Sequence, residues 1–285
     1  MEIILQSGGA RVLGQAQLPK NVLGLAWLGQ AGFMLRHAQQ RWLIDPYLSD
    51  HLARKYAGTE FSHERMMPPP IAAEAIHDLD LVLCSHRHGD HMDPGSLPIL
   101  AANNPQCRFL VPRAEAEAAM HLGLDEARLL LANAGDTFRL DHSAAIQVSP
   151  AAHETIQINE RGEHHCLGFI MRLGELTLYH SGDCVVFDGL AEALRPHRID
   201  LALLPVNGRR PALTQRGIIG NMNFGEAAGL CLAAGISAMI PHHFGMFAFN
   251  TVDPLALQAQ AARIDKRLHC LLPSLDRHFL IAKDG

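Results

Sequence analysis

What the chain lacks narrows its chemistry before any motif is read. Its six cysteines (Cys84, Cys107, Cys166, Cys184, Cys231 and Cys270) form no C-x-x-C pair, so a thiolate zinc site is not expected. It has no basic excess: 24 Lys and Arg against 29 Asp and Glu give a net charge of −5, which argues against a nucleic-acid partner of the usual basic kind. No apolar run approaches membrane-spanning length, so no membrane partner is expected. The opening residues, MEIILQSGGARVLG, lack the basic segment and apolar core of a secretory signal, and the expected setting is cytoplasmic, with reduced thiols. Charged residues make up 19% and Pro and Gly are near average, so composition makes no case for disorder. There is no low-complexity linker and no short-period repeat. What remains is 285 residues, 48% of them hydrophobic, expected to form a single domain over 1–285.

Short apolar runs separated by turns predict strands at 22–28, 33–37, 41–44 and 79–84. Residues 49–70, ending in three prolines, read as an excursion: a lid or a subunit contact. Asp93-Pro94 predicts a helix start, followed by a strand at 108–111 and a helix at 113–122. The second half repeats the style. Strands are expected at 138–140, 145–148, 166–173, 176–179, 201–204 and 238–240, with helices at 224–234 and 255–264 and two short strands at the end. Two halves of this kind suggest two sheets packed face to face with helices outside.

The 18 histidines are the unusual number, and their placement matters more than their count. His86, His88, Asp90 and His91 crowd into six positions directly after a buried strand. Without a metal, such packing wastes stability, because each polar group needs a compensating partner. Asp45, His153, Asp183 and the pair His242-His243 also follow predicted strands or lie in short loops, and strand ends far apart in sequence can converge on a rigid scaffold. His86 and His88, two apart, point the same way in an extended segment. Gly89 permits a reversal that turns Asp90 and His91 to a second position. One ion would then take His86, His88 and His153, and another Asp90, His91 and His243, with Asp183 bridging. Nitrogen and oxygen donors suit two divalent ions, Mn2+ or Zn2+, with Fe2+ equally compatible by softness. His37, His51, His121 and His197 read as ordinary solvated or hydrogen-bonded residues. Asp45 before Pro46 also fits a turn former, and His180 and His242 adjoin stronger candidates.

The set H86-x-H88-x-D90-H91, then His153, Asp183 and His243, resembles the metallo-β-lactamase superfamily, with Asp45 at the position of that superfamily's supporting aspartate. The resemblance implies an α+β fold, an αββα sandwich of two mixed sheets with helices outside and the site at one edge. Within the superfamily, IDPYLSD, CSHRHGDHMD, YHSGDC, LALLPVNGRR with GNM following, and IPHHFGMFAFNT resemble the L-ascorbate-6-phosphate lactonase group. That likeness implies opening of a lactone of a phosphorylated sugar acid by a hydroxide held between the ions. Asp90 would orient the nucleophile and relay a proton, and Asp183 would act beside it. Asn207, Arg209, Arg210 and Asn221 offer donors for a phosphate, and Arg87 and Tyr179 could also reach substrate. The alternatives are a phosphodiesterase acting on a small phosphate ester and a hydrolase of another small lactone or ester. The apolar stretch 244–249 fits either a homo-oligomer contact or a wall of the site.

Overall fold

The computed structural model describes residues 1–283. The chain divides into two compact units, each built on one mixed sheet with helices. This is an α+β architecture, as the sequence predicts. Among the described residues no helix is long and apolar enough to cross a membrane.

The first unit comprises Met1–Ala132, Met246–Phe249 and the stretch from Pro273 onward. Its strands, numbered along the chain, are β1 (Glu2–Ser7), β2 (Val22–Gly29), β3 (Gly32–His37), β4 (Gln40–Ile44), β5 (Leu81–Leu83), β6 (Arg108–Pro112), β7 (Leu129–Ala132) and the last of the molecule, β17 (Arg277–Ala282). They lie in the order β1-β17-β2-β3-β4-β5-β6-β7. Pairing is antiparallel from β1 to β4 and parallel from β4 to β7. The helices are α1 (Gly9–Gln15), α2 (His51–Lys55), α3 (Leu97–Asn103) and α4 (Ala116–His121). Leu28, Leu43, Val82, Phe109, Leu97 and Leu100 are among the fully buried residues of one core. A second cluster gathers Tyr47, Leu52, Met246 and Phe247, where the excursion packs on the returning segment. Arg65 anchors it. The guanidinium stacks 4.6 Å over the Tyr47 ring and donates to the carbonyls of Tyr47 and Ser49.

The helix expected at Asp93-Pro94 begins later, at Leu97. Asp93 is occupied elsewhere: its carboxylate accepts from the Ser49 amide and hydroxyl, the Gly95 amide and the Ser96 hydroxyl. The chain does turn at Asp93, whose Oδ1 accepts the amide two residues on and whose carbonyl accepts the Ser96 and Leu97 amides, and the regular helix follows one turn later.

The second unit comprises Asn133–Gly245 and Asn250–Leu272. A small pair, β10 (Ala152–His153) and β11 (Thr155–Ile156), stands apart from the main sheet. That sheet has β8 (Thr137–Arg139), β9 (Ala144–Pro150), β12 (Leu167–Leu173), β13 (Leu176–His180), β14 (Leu201–Pro205), β15 (Ala238–His242) and β16 (His269–Cys270), in the order β16-β15-β14-β13-β12-β9-β8. Gly174, at φ +61°, makes the hairpin turn between β12 and β13. The helices are α5 (Leu190–Leu194), α6 (Pro211–Thr214), α7 (Phe224–Ala234) and α8 (Pro254–Ala261). Helix α7 starts on a capping box in which Asn223 and Glu226 each accept from the other's backbone amide, and it stops at Gly235 in the left-handed region.

Candidate functional site

In the first unit, β4 and β5 run parallel and end side by side, so the residues after them meet. Asp45, with φ +43°, turns its carboxylate to the start of the His86–His91 loop. Its Oδ1 accepts the Ser85 amide at 2.7 Å and its Oδ2 accepts the Ser85 hydroxyl at 2.6 Å. Oδ2 also lies 2.7 Å from His91 Nδ1. All three residues are buried. Because the carboxylate only accepts, His91 carries its proton on Nδ1 and presents Nε2 as a lone-pair nitrogen. The same logic reaches His86. The Ser85 hydroxyl, already donating to Asp45, accepts from His86 Nδ1 at 3.0 Å, so His86 also presents Nε2. One carboxylate thus sets two imidazoles in the ligating tautomer, as supporting carboxylates do around metals.

These nitrogens test whether a metal fits. His86 Nε2 and His88 Nδ1 stand 3.0 Å apart. Two lone pairs at that distance repel unless a proton or a cation lies between them. Two imidazole nitrogens bound tetrahedrally to one ion at about 2.1 Å would stand about 3.4 Å apart, a few tenths of an ångström beyond the spacing found. His91 Nε2 lies 3.7 Å from Asp90 Oδ2, which itself accepts from Gln30 Nε2 at 2.8 Å. Gln30 sits in the β2–β3 turn at φ +50°, and its carbonyl accepts from Trp27 Nε1. The donor set fits a divalent ion held by nitrogen and carboxylate oxygen.

The chain turns at Gly89, where the His91 and Met92 amides both donate to the His88 carbonyl. The φ of Gly89 is not left-handed. The constraint is space: a Cβ would stand 2.8 Å from Leu52 Cδ2 of α2, so glycine lets the excursion's helix seat against the loop.

In the second unit, His153 ends β10, Asp183 follows β13 and His243 follows β15. Asp183 Oδ2 lies 3.1 Å from His243 Nε2 and 4.0 Å from His153 Nε2, and all three residues are buried. His243 adopts φ +61° to point there, and Glu154, beside His153, adopts φ +62°. Left-handed non-glycine residues are strained, and their recurrence at Gln30, Asp45, Glu154 and His243 marks these loops as over-determined. Glu154 Oε1 accepts from the Thr214 hydroxyl at 2.9 Å and the Gly220 amide at 3.4 Å, tying the His153 turn to the 207–222 loop. His242 and His243 are placed differently. His242 stacks on His180 in the core, with centroids 4.8 Å apart and planes 6° apart, while the next residue faces Asp183. His180 Nδ1 accepts the Gly182 amide and so shapes the Asp183 turn.

The residues expected to bind substrate are distributed differently. Tyr179 is fully buried beside Ser149, and burial holds its phenol well above its ordinary pKa. Asn207 and Asn221 bond each other, and Asn207 also donates to Asn250. Arg209 pairs with Glu226 and donates to the Asn221 carbonyl. Arg210 is exposed and donates to the Thr251 carbonyl at 2.7 Å. Arg87 is exposed, 3.9 Å from the buried Glu115. The Met222 amide donates to the Cys184 carbonyl, so this loop is bonded to the Asp183 turn. Burial pushes the Cys184 thiol up to about 12, which keeps it neutral beside Asp183.

Sequence reasoning did not single out Gln30, Ser85 or Glu154 for the site. Gln30 and Glu154 act through backbone conformation and partners about 60 residues away, and Ser85 acts by passing a hydrogen bond. None of the three carries a local signal.

A family model described as the beta-lactamase superfamily domain matches residues 40–244. Among curated proteins, the chain is 28% identical over 252 residues to a UPF0173 metal-dependent hydrolase of Rhizobium leguminosarum bv. trifolii, covering 85% of this chain and 94% of that one. It is 24% identical over 232 residues to a protein of the same description from Caldivirga maquilingensis, covering 81% and 86%. Among solved structures, an isothiocyanate hydrolase from Delia radicum gut bacteria superposes with a TM-score of 0.73 at 16% identity, covering 91% of this chain and all of that one.

Proposed function

Since the chain belongs to the beta-lactamase superfamily domain family, we propose that it is a metal-dependent hydrolase. The seven residues nominated from the sequence are its candidate ligands for two divalent ions: His86, His88, Asp90 and His91 in the first unit, and His153, Asp183 and His243 in the second. The observation that carries this reading is the buried Asp45, which sets His91 directly and His86 through Ser85 with their Nε2 lone pairs outward.

Bound divalent ions supply a nucleophile at neutral pH and polarise the substrate oxygen. The chain's own residues do the rest. Asp45 holds the imidazoles rigid. Gln30 fixes the Asp90 carboxylate, leaving Asp90 placed to orient water and pass a proton to a leaving alkoxide. Asp183, facing His153 and His243, supplies a second carboxylate of fixed orientation. The finer reading is a lactone of a phosphorylated sugar acid. It is supported by the resembling stretches and by exposed Arg210 and Arg87. Arg209, Asn207 and Asn221 support that role indirectly, by bracing the loop that carries Arg210.

The test is turnover by metal-reconstituted protein on phosphorylated sugar lactones, unphosphorylated lactones, phosphodiesters and β-lactams, before and after chelation. The expected result is lactone hydrolysis that chelation abolishes and Mn2+ or Zn2+ restores. Turnover of phosphodiesters alone would replace the lactone with a phosphate ester. Full turnover after chelation would overturn the metal-dependent reading.

A further inference from the structure

Residues 209–220 form a loop of the second unit that is closed at its base. Asn207 and Asn223 face each other as an antiparallel bridge, the Gly208 amide donates to the Met222 carbonyl, and the Asn221 amide donates to the Gly208 carbonyl. The two backbones meet so closely that a Cβ at Gly220 would stand 2.5 Å from the Gly208 oxygen. The exposed Arg210 leads into α6 inside this loop and is tied on one side to the Thr251 carbonyl.

Glu154 is the wrong residue for its backbone. It stands alone between β10 and β11, whose ladder pairs His153 with Thr155 across it, and its φ is +62°. Glycine makes a left-handed turn of this kind without strain, whereas a glutamate there is strained. What the glutamate adds is its side chain. Its Oε1 accepts the Thr214 hydroxyl of α6 at 2.9 Å, the closer of that hydroxyl's two acceptors, the other being the Arg210 carbonyl at 3.4 Å. The same oxygen accepts the Gly220 amide at 3.4 Å. One carboxylate oxygen, on the residue next to His153, thus holds the loop both at its helix and at its closing end. Hydrogen bonds to an ionised acceptor are the stronger kind.

We propose that Glu154 is a positioning residue. It latches the 209–220 loop to the His153 turn and so fixes where Arg210 meets the anionic group of a substrate. The backbone strain at 154 persists because the latch needs a long carboxylate aimed from that turn. The role given to Arg210 rests on the proposed phosphorylated substrate, whereas the latch is read out without any substrate.

Hydrogen exchange over residues 209–220 of the full chain, followed by mass spectrometry, measures the latch. Glu154→Gly removes the side chain and suits the left-handed φ, so the variant keeps its turn. Glu154→Gln keeps an acceptor oxygen. Thr214→Val removes the hydroxyl at the far end, away from His153. Exchange over 209–220 is expected to rise about tenfold in Glu154→Gly, the effect of losing a charge-assisted hydrogen bond, with the melting temperature and the metal content after reconstitution held. Glu154→Gln should stay near the wild type, and Thr214→Val should move part of the way. The double variant should fall short of the two single effects combined, because both delete one bond. On a phosphorylated lactone and its unphosphorylated counterpart, Glu154→Gly should lose several-fold more kcat/KM on the first than on the second, and Glu154→Gln should restore the difference. Unchanged exchange in Glu154→Gly, exchange as fast in Glu154→Gln, or loss of metal in Glu154→Gly would overturn the latch. An equal loss on both lactones would overturn its link to Arg210. Turnover of neither lactone, with the exchange pattern as expected, would count against the phosphorylated lactone and leave the latch standing.

Discussion

At the scale of single residues, the account rests on Asp45 more than on any ligand. It makes three short hydrogen bonds from a fully buried position and sets the tautomers of two imidazoles. Asp45→Asn keeps the shape but places an amide NH2 near His91 Nδ1 or the Ser85 hydroxyl, where only an acceptor fits. The expected outcome is metal binding weakened about 10–100-fold, the usual effect of losing such a support. Competition against a chromophoric chelator measures it, and unchanged affinity would reduce Asp45 to a turn former. How legible these residues were follows from distance along the chain. The His86–His91 cluster is readable because its spacing is local. The Gln30 contact with Asp90 spans 60 positions and depends on a left-handed glutamine, which no composition rule reveals. Strand alternation turns either Tyr179 or His180 toward the site, but alternation gives two faces and not their surroundings, and both faces of β13 are largely buried.

At the scale of elements, the clearest reading was α7. Asn223 and Glu226 three residues apart, an apolar run and a closing Gly235 bound it at 224–234 in both sequence and structure. Asn223→Ala removes the cap and is expected to lower stability by about 1 kcal/mol, read from the urea unfolding midpoint. A change within error would mean that the Glu226 pairing with Arg209 holds the helix start without the cap. Helix α3 was read one turn too early: Asp93-Pro94 opens a tight turn, and the regular helix follows from Leu97. The excursion at 49–70 was placed correctly as a break between strands. Its contents, α2 seated on Gly89 and Arg65 over Tyr47, depend on contacts with segments far along the chain.

At the scale of the whole molecule, strand-rich openings followed by strand–helix pairs in each half disclosed two mixed sheets. The edge composition of the first sheet was hidden. β17, from the C-terminal end of the chain, inserts between β1 and β2, and such long-range pairing leaves no mark in the local pattern. The ligand order from Asp45 to His243 carries across both units, which is why motif order identified the family when no single segment could. The most direct test of the central claim is elemental analysis of protein purified without added metal, beside the Asp183→Asn variant. The account predicts two divalent ions per chain in the wild type and clear loss of metal in the variant. A metal-free wild type that still hydrolyses substrate, or a variant that keeps both ions, would contradict it.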